Sequence, residues 1–321
     1  MIEDYFKPVK MKLSTLNEYV AKFIASCADK SKETQGTYQR TLKEFVYFFA
    51  TDRMFQFRVK DVERYKKYLH TTKKMKDISV AAYMTSLRRL CQYLVESGVI
   101  EKNPAKRVQG GKRPTAHART FLTLADIDLL LNSIEEDTAT GLRDKALILT
   151  MLGCACAELE LTNAVVGDLR KIEKRWVLFV QGKGKSIKDE PISVPKTTYE
   201  AIEKYLQHRG KDIPPEAPLF LSYSNRAQGK SMSIRGIRET INVRLKTSNV
   251  KRGRDLKLTP FSLRHTAGIL MAEQGASPEE IMKRMRIEWR PTAMLYFKQK
   301  GKLKSENSPE KAELIAVDKN E

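Results

Sequence analysis

The stretch Leu258-Thr259-Pro260-Phe261-Ser262-Leu263-Arg264-His265 reads as the entry to a helix. Thr259 is a good helix-capping residue, and Pro260 suits the first helical position, where its missing N–H is no loss. Helical spacing then holds from Leu263 to Glu273. Outward toward the C-terminus, Pro278–Met285 and a short segment ending at Tyr296 read as further helices. Outward toward the N-terminus lies the short apolar run Leu219-Phe220-Leu221. Before it come Trp176-Val177-Leu178-Phe179-Val180, a Gly/Lys turn from Gly182 to Lys185, and Pro191-Ile192-Ser193-Val194. Two apolar runs around such a turn predict a β-hairpin. Further upstream, Arg143 to Leu152 predicts a buried helix through Ala146, Leu147, Leu149 and Met151. Thr123-Leu124-Ala125-Asp126 predicts a capping box ahead of Ile127, Leu130, Leu131 and Ile134.

The first hundred residues predict four amphipathic helices. Thr15-Leu16-Asn17-Glu18 has the capping-box pattern, followed by Leu16, Tyr19, Val20, Phe23 and Ile24 at helical spacing. A second face carries Tyr38, Leu42, Phe45, Val46 and Phe49, and a shorter one Val62, Tyr65 and Leu69. A fourth begins near Ser79 with Tyr83, Leu87, Leu90, Cys91 and Leu94, and Gly98 stands where a C-terminal cap belongs. From Asn103 to Pro114 the chain is rich in Gly, Pro and positive charge without periodicity, which reads as a linker.

Charge and composition narrow the function. In 321 residues, 59 Lys+Arg against 39 Asp+Glu leave a net charge of +20. An excess of this size calls for a polyanionic partner, nucleic acid before an anionic membrane surface. The longest mostly apolar stretch, Ala146 to Ala157, is too short to span a bilayer, and the first residues lack the apolar core of a signal peptide. Cys27, Cys91, Cys154 and Cys156 make no disulfide framework in a chain this long, and the Cys154-x-Cys156 pair has no histidine nearby to suggest zinc. A soluble protein of the cytoplasm, needing no metal or cofactor and no membrane, is the expectation.

This order of features resembles the tyrosine recombinase (phage integrase) family. The resemblance covers nearly the whole chain. It is carried by Arg143-Asp144-Lys145-Ala146-Leu147 leading into Gly153–Leu159, by Gly182-Lys183-Gly184, by Leu258 to His265, and by Tyr296. It implies a mainly α fold in which a helical core-binding domain and a mostly helical catalytic domain with a small antiparallel sheet clamp duplex DNA. The corresponding division is residues 1–102, a basic linker at 103–118, a catalytic domain at 119–300 and a charged tail at 301–321. The tail carries one apolar patch, Leu314 to Val317, of the kind that docks into a neighbouring subunit in this family.

The chemistry such a family performs explains the residue types. Breaking a phosphodiester with a tyrosine builds negative charge on the nonbridging oxygens, which fixed guanidiniums hold bidentately. The tyrosine, with an ordinary pKa of about 10, loses its proton as it forms a covalent bond to DNA. The leaving deoxyribose oxygen takes a proton from an acid such as lysine. Carried over by position, the resemblance makes Tyr296 the nucleophile, Arg264 the second arginine, His265 its companion and Lys183 the hairpin proton donor. Three other positions depart from the pattern. Ala155 stands where the first arginine belongs, Phe261 where a histidine belongs, and Ile287 where His or Trp is usual. Losing one preorganised donor costs about 3–4 kcal/mol of barrier. Lys185, Lys188, Lys257, Arg284, Arg286 and Arg290 lie near the vacated positions in sequence, Arg286 and Arg290 flanking Ile287.

Two readings follow. In one, the chain is a site-specific recombinase or integrase of a mobile genetic element, forming a Tyr296–phosphate intermediate as a homotetramer on double-stranded DNA. In the other, it is a recombinase-derived DNA-binding or accessory protein that cleaves poorly. An unrelated basic helical regulator is a third, weaker alternative. Lys106, Arg107, Lys112, Arg113, Lys185, Arg88 and Arg89 are candidate DNA contacts, with Arg235, Arg238 and Arg244 as further basic residues on recognition faces. Accessory DNA-bending proteins are possible partners.

Overall fold

The computed structural model describes residues 7–111, 120–182, 187–250, 258–299 and 301, and it divides into two compact units, Met1–Thr115 and Ala116–Glu321. Lys112, Arg113, Lys183, Lys185, Lys257 and the apolar patch of the tail lie outside the described residues.

In the N-terminal unit, helices α1 (Leu13–Ser26), α2 (Lys32–Thr51), α3 (Val59–Thr71) and α4 (Asp77–Glu96) pack as a bundle. Its core is aromatic. Phe45 meets Phe55 and Tyr65 edge-on at 5.4 and 5.2 Å, and Phe48 meets Tyr65 at 5.1 Å. These contacts use the ring quadrupole, and each ring also removes a large apolar area from water. Between α2 and α4 the buried hydroxyls of Thr41 and Ser86 bond at 2.7 Å.

Two local expectations shift here. Helix α1 starts at Leu13, so Thr15 lies inside it, and the Lys12 side chain at the N-cap makes no capping bond. Burial of Leu16 on the inward face extends the helix back past the local capping signal. Helix α4 starts at Asp77, whose carboxylate suits the positive end of the helix dipole. Gly98 does end α4, with φ +69° and its N–H on the Val95 carbonyl at 3.0 Å.

The start of the segment that composition reads as linker is packed. Pro104, Ala105 and Val108 are buried. Asn103 accepts from the Ala105 N–H at 3.0 Å and donates to the Arg88 carbonyl at 2.9 Å. The Arg88 guanidinium donates to the carbonyls of Ala105 and Val108, both at 3.1 Å. Composition misses this because three small apolar residues and one asparagine are enough to fasten the strand of chain to α4.

The C-terminal unit is built around α6 (Ala139–Gly153), which follows α5 (Leu124–Asn132) and is buried from Leu142 to Gly153 except at Lys145. The Thr123–Asp126 capping box at the head of α5 is formed: the Thr123 hydroxyl accepts from the Asp126 N–H at 3.2 Å, and the Asp126 carboxylate accepts from the Thr123 N–H at 2.7 Å. After the short α7 (Glu158–Asn163) come β1 (Leu169–Ile172), β2 (Arg175–Val180) and β3 (Glu190–Ser193), an antiparallel sheet in the order β1-β2-β3. β2 and β3 are the expected hairpin, with Leu178 opposite Ile192.

Helix α8 (Lys196–Arg209) packs on α6, and its Tyr199 stacks on Trp176 of β2 with ring centroids 4.1 Å apart. Leu219-Phe220-Leu221 forms only an isolated bridge, Leu221 to Ser231. Helix α9 (Ile234–Thr247) is tied to α6 by a buried ion network, in which Asp144 accepts from Arg143 at 2.6 Å and from Arg244 at 2.7 Å. Helices α10 (Pro260–Glu273), α11 (Pro278–Met285) and α12 (Arg290–Phe297) complete the unit. Among the described residues, no helix is long and apolar enough to cross a membrane.

Candidate active site

The site is assembled on the loop from α6 to α7. Helix α6 ends at Gly153, and Ala155 turns the chain through the left-handed region with φ +50°. A non-glycine residue there costs on the order of 1 kcal/mol, so tertiary contacts must hold it. They do so through its carbonyl, which accepts from Arg264 Nη1 at 2.5 Å and Arg286 Nη2 at 3.0 Å. Two residues on, Ala157 opens α7, and its N–H donates to the Glu160 carboxylate at 2.6 Å.

Glu160 anchors both arginines. Arg286 places Nε 2.6 Å from Oε1 and Nη2 2.6 Å from Oε2, a two-pronged pairing, while Arg264 Nη1 lies 3.4 Å from Oε2. Arg264 also donates to the Met285 carbonyl, and Arg286 to that of Arg284. Arg264 sits in the second turn of α10 and is only 8% exposed. Arg286 caps α11 at φ +52°, a second left-handed non-glycine residue. Burial and the adjacent Arg286 charge pull the Arg264 pKa below its ordinary value. For Arg286, burial works against the charge, but Glu160 and its neighbours outweigh it and the pKa rises. Arg284 lies alongside, donating to the carbonyls of Gly153 at 3.0 Å and Ser193 at 3.1 Å.

The thiols of Cys154 and Cys156, both buried, interact with one another. Their hydrogen bond, more than burial or the nearby arginines, holds Cys154 below the usual thiol value and pushes Cys156 above it.

Tyr296, on α12, is 2% exposed and meets the wholly buried His265 edge-on, with ring centroids 5.0 Å apart. Gly268, one helical turn beyond His265, makes that closeness possible. A Cβ on Gly268 would stand 2.8 Å from Cε1 and Cζ of Tyr296 and 2.9 Å from the Met285 sulfur.

Arg264, His265, Tyr296 and the Ala155 loop are therefore close together. Phe261 and Ile287 are half-buried, and the Ile287 N–H donates to the Met282 carbonyl at 2.8 Å. Several basic candidates already have partners within the protein. Lys188 pairs with Asp168 at 2.5 Å, Arg290 with Glu279 at 3.0 Å, Arg235 with Glu239 at 2.7 Å and Arg238 with Glu158 at 3.0 Å. Arg244 places Nε on the Asp144 carboxylate, and Arg88 turns Nε and Nη2 to carbonyls of the segment after α4, so both guanidiniums are in part engaged within the protein. Arg89, Lys106 and Arg107 are exposed.

Glu160 and Gly268 are the site residues that sequence reasoning passed over. A glycine inside an apolar helix is the signal that could have found Gly268. Ala157 at the cap of α7 hides Glu160, because the usual pattern begins with Ser or Thr.

Residues 120–300 match the phage integrase family, and residues 15–109 match the phage integrase SAM-like domain. Over 207 residues the chain is 27% identical to tyrosine recombinase XerD of Listeria monocytogenes, covering 64% of this chain and 66% of that one. Over 224 residues it is 30% identical to tyrosine recombinase XerC of Thermodesulfovibrio yellowstonii, covering 68% and 70%. In fold it is similar to a lambda integrase dimer bound to a COC' core site, with TM-score 0.68, 14% identity and coverage of 93% and 100%. It is also similar to the Tn1549 transposon integrase in complex with circular intermediate DNA, with TM-score 0.67, 17% identity and coverage of 88% and 94%.

Proposed function

The chain belongs to the phage integrase family of tyrosine recombinases, and from that premise we propose that it binds duplex DNA and acts in site-specific recombination or integration. Tyr296 is the nucleophile. Its hydroxyl attacks a backbone phosphorus and loses its proton, the bond to the leaving deoxyribose oxygen breaks, and a phosphotyrosyl–DNA link conserves the bond energy. Arg264 holds a nonbridging oxygen, His265 positions the Tyr296 ring, and Lys183 protonates the leaving oxygen. No cofactor is required.

The observation that carries this reading is the packing of Tyr296 of α12 against His265 of α10, next in sequence to Arg264, whose guanidinium turns to the Ala155 loop. The net charge of +20 supports a DNA partner, with Arg89, Lys106, Arg107, Lys112, Arg113 and Lys185 as phosphate contacts. Residues 1–102 act as the core-binding domain and 119–300 as the catalytic domain, assembled as a homotetramer on DNA with accessory bending proteins where the site requires them.

A second reading is favoured by Ala155, Phe261 and Ile287. An alanine, a phenylalanine and an isoleucine offer no charge or proton to a phosphate, so a descendant that binds a site and cleaves it poorly also fits. One experiment separates the two. The full chain is incubated with duplexes from its own genomic neighbourhood, including nicked substrates that prevent religation, and adducts are sought on a denaturing gel. A covalent adduct absent in Tyr296→Phe supports the recombinase. Tight, salt-sensitive binding without adduct supports the descendant, and no binding removes both.

A further inference from the structure

Resting on that functional reading, we infer that Arg286 supplies the guanidinium that position 155 lacks, and that Glu160 holds it until a backbone phosphate of DNA takes the carboxylate's place. Arg286 reaches the vacated position itself, with Nη2 3.0 Å from the carbonyl of Ala155. Arg264 donates to the same oxygen at 2.5 Å, so two guanidiniums meet at one atom. Like charges gather this closely in a buried place only around an anion.

Among the described residues one carboxylate, Glu160, pairs with both arginines, which leaves the three side chains one positive charge in excess. A phosphodiester brings the missing negative charge. Its two nonbridging oxygens also reproduce the two-pronged geometry that Glu160 gives Arg286, with contacts of 2.6 Å to each oxygen.

The backbone fixes where Arg286 starts. It turns through φ +52° at the end of α11, where its N–H donates to the Lys283 carbonyl at 3.1 Å and that of Ile287 to the Met282 carbonyl at 2.8 Å, a bonded helix end that carries the Arg286 side chain toward the Ala155 loop. When phosphate oxygens replace those of Glu160 on Arg286, the carboxylate keeps the Ala157 N–H at 2.6 Å and stays within reach of Arg264. The exchange moves one ion pair and leaves no buried charge alone.

The test measures binding of the full chain to a nicked duplex from its genomic neighbourhood across a range of salt concentrations. Arg286→Ala makes the slope of log K against log salt shallower by about 0.9, the loss of one phosphate contact. Ala155→Arg added to Arg286→Ala restores the slope. Glu160→Gln, which frees Arg286, tightens binding although it removes a buried ion pair, and circular dichroism checks that each variant is folded.

If Arg286 is only a clamp, Arg286→Ala leaves the slope unchanged and Glu160→Gln weakens binding, and either result overturns the inference while leaving the functional reading intact. No duplex binding by the unaltered chain overturns both.

Discussion

Gly268 lies against the ring of Tyr296 so closely that a single methyl group has no room, since its Cβ would stand 2.8 Å from two ring carbons. Backbone on α10 and ring on α12 thus fix the tyrosine's resting place together. Gly268→Ala must push the ring or the helix aside, at a cost of about 1–3 kcal/mol. The expected outcome is a lower melting temperature and loss of any Tyr296-dependent adduct, read by calorimetry and denaturing gel. Unchanged stability would mean that α12 yields freely.

Glu160→Ala leaves the guanidiniums of Arg264 and Arg286 together without their shared carboxylate. Breaking a buried pairing from one side costs about 3–5 kcal/mol. Chemical denaturation gives this directly, and a loss below 1 kcal/mol would show that water reaches the cluster.

Arg88→Ala releases the segment that Arg88 fastens to α4. Two charge-assisted bonds to carbonyls predict a loss of roughly 2–4 kcal/mol and faster proteolysis after residue 102. Because the guanidinium faces its own chain, the salt dependence of duplex binding stays unchanged, and a shallower slope would return Arg88 to the DNA contacts.

Glu136 accepts from Lys145 and from Lys204, the latter at 2.7 Å. Hydrogen bonds first from Lys145 and then from Lys204 lower its pKa below the ordinary 4.5. A carboxylate with a depressed folded pKa contributes stability above its unfolded pKa, and that contribution disappears as pH falls through the folded value. Glu136→Gln therefore lowers stability at pH 7 by about 1 kcal/mol or less, as suits a partly exposed pair. The difference from the unaltered chain closes as pH drops below 4.5 and on through the folded value. A gap that persisted through pH 2 would assign the effect to packing.

Local signals served the sequence reading best where one residue type settles a backbone conformation. Pro278 to Met285 is helical as expected, because Ser277 caps it and Pro278 fits the first position. Gly98 ends α4 for a similarly local reason. β1 escaped notice because Leu169-Arg170-Lys171-Ile172 lies mostly exposed and alternates in nothing the eye can use. In the site, the motif residues Arg264, His265 and Tyr296 were legible, since short patterns carry them. The pairing of Arg286 with Glu160 joins residues 126 positions apart, and nothing local announces it.

The left-handed turn at Ala155 also bears on ancestry. The alanine is 1% exposed, and the guanidinium of Arg286 already rests on its carbonyl. An arginine arriving at position 155 would compete with Arg286 for the same volume and the same carboxylate, so the two side chains are alternative tenants of one lodging. Moving between the two arrangements changes both positions, since an arginine added at 155 meets a carboxylate that Arg286 already pairs with. An arginine restored at position 155, one of the three positions where the chain departs from the family pattern, therefore finds its place taken while Arg286 stays.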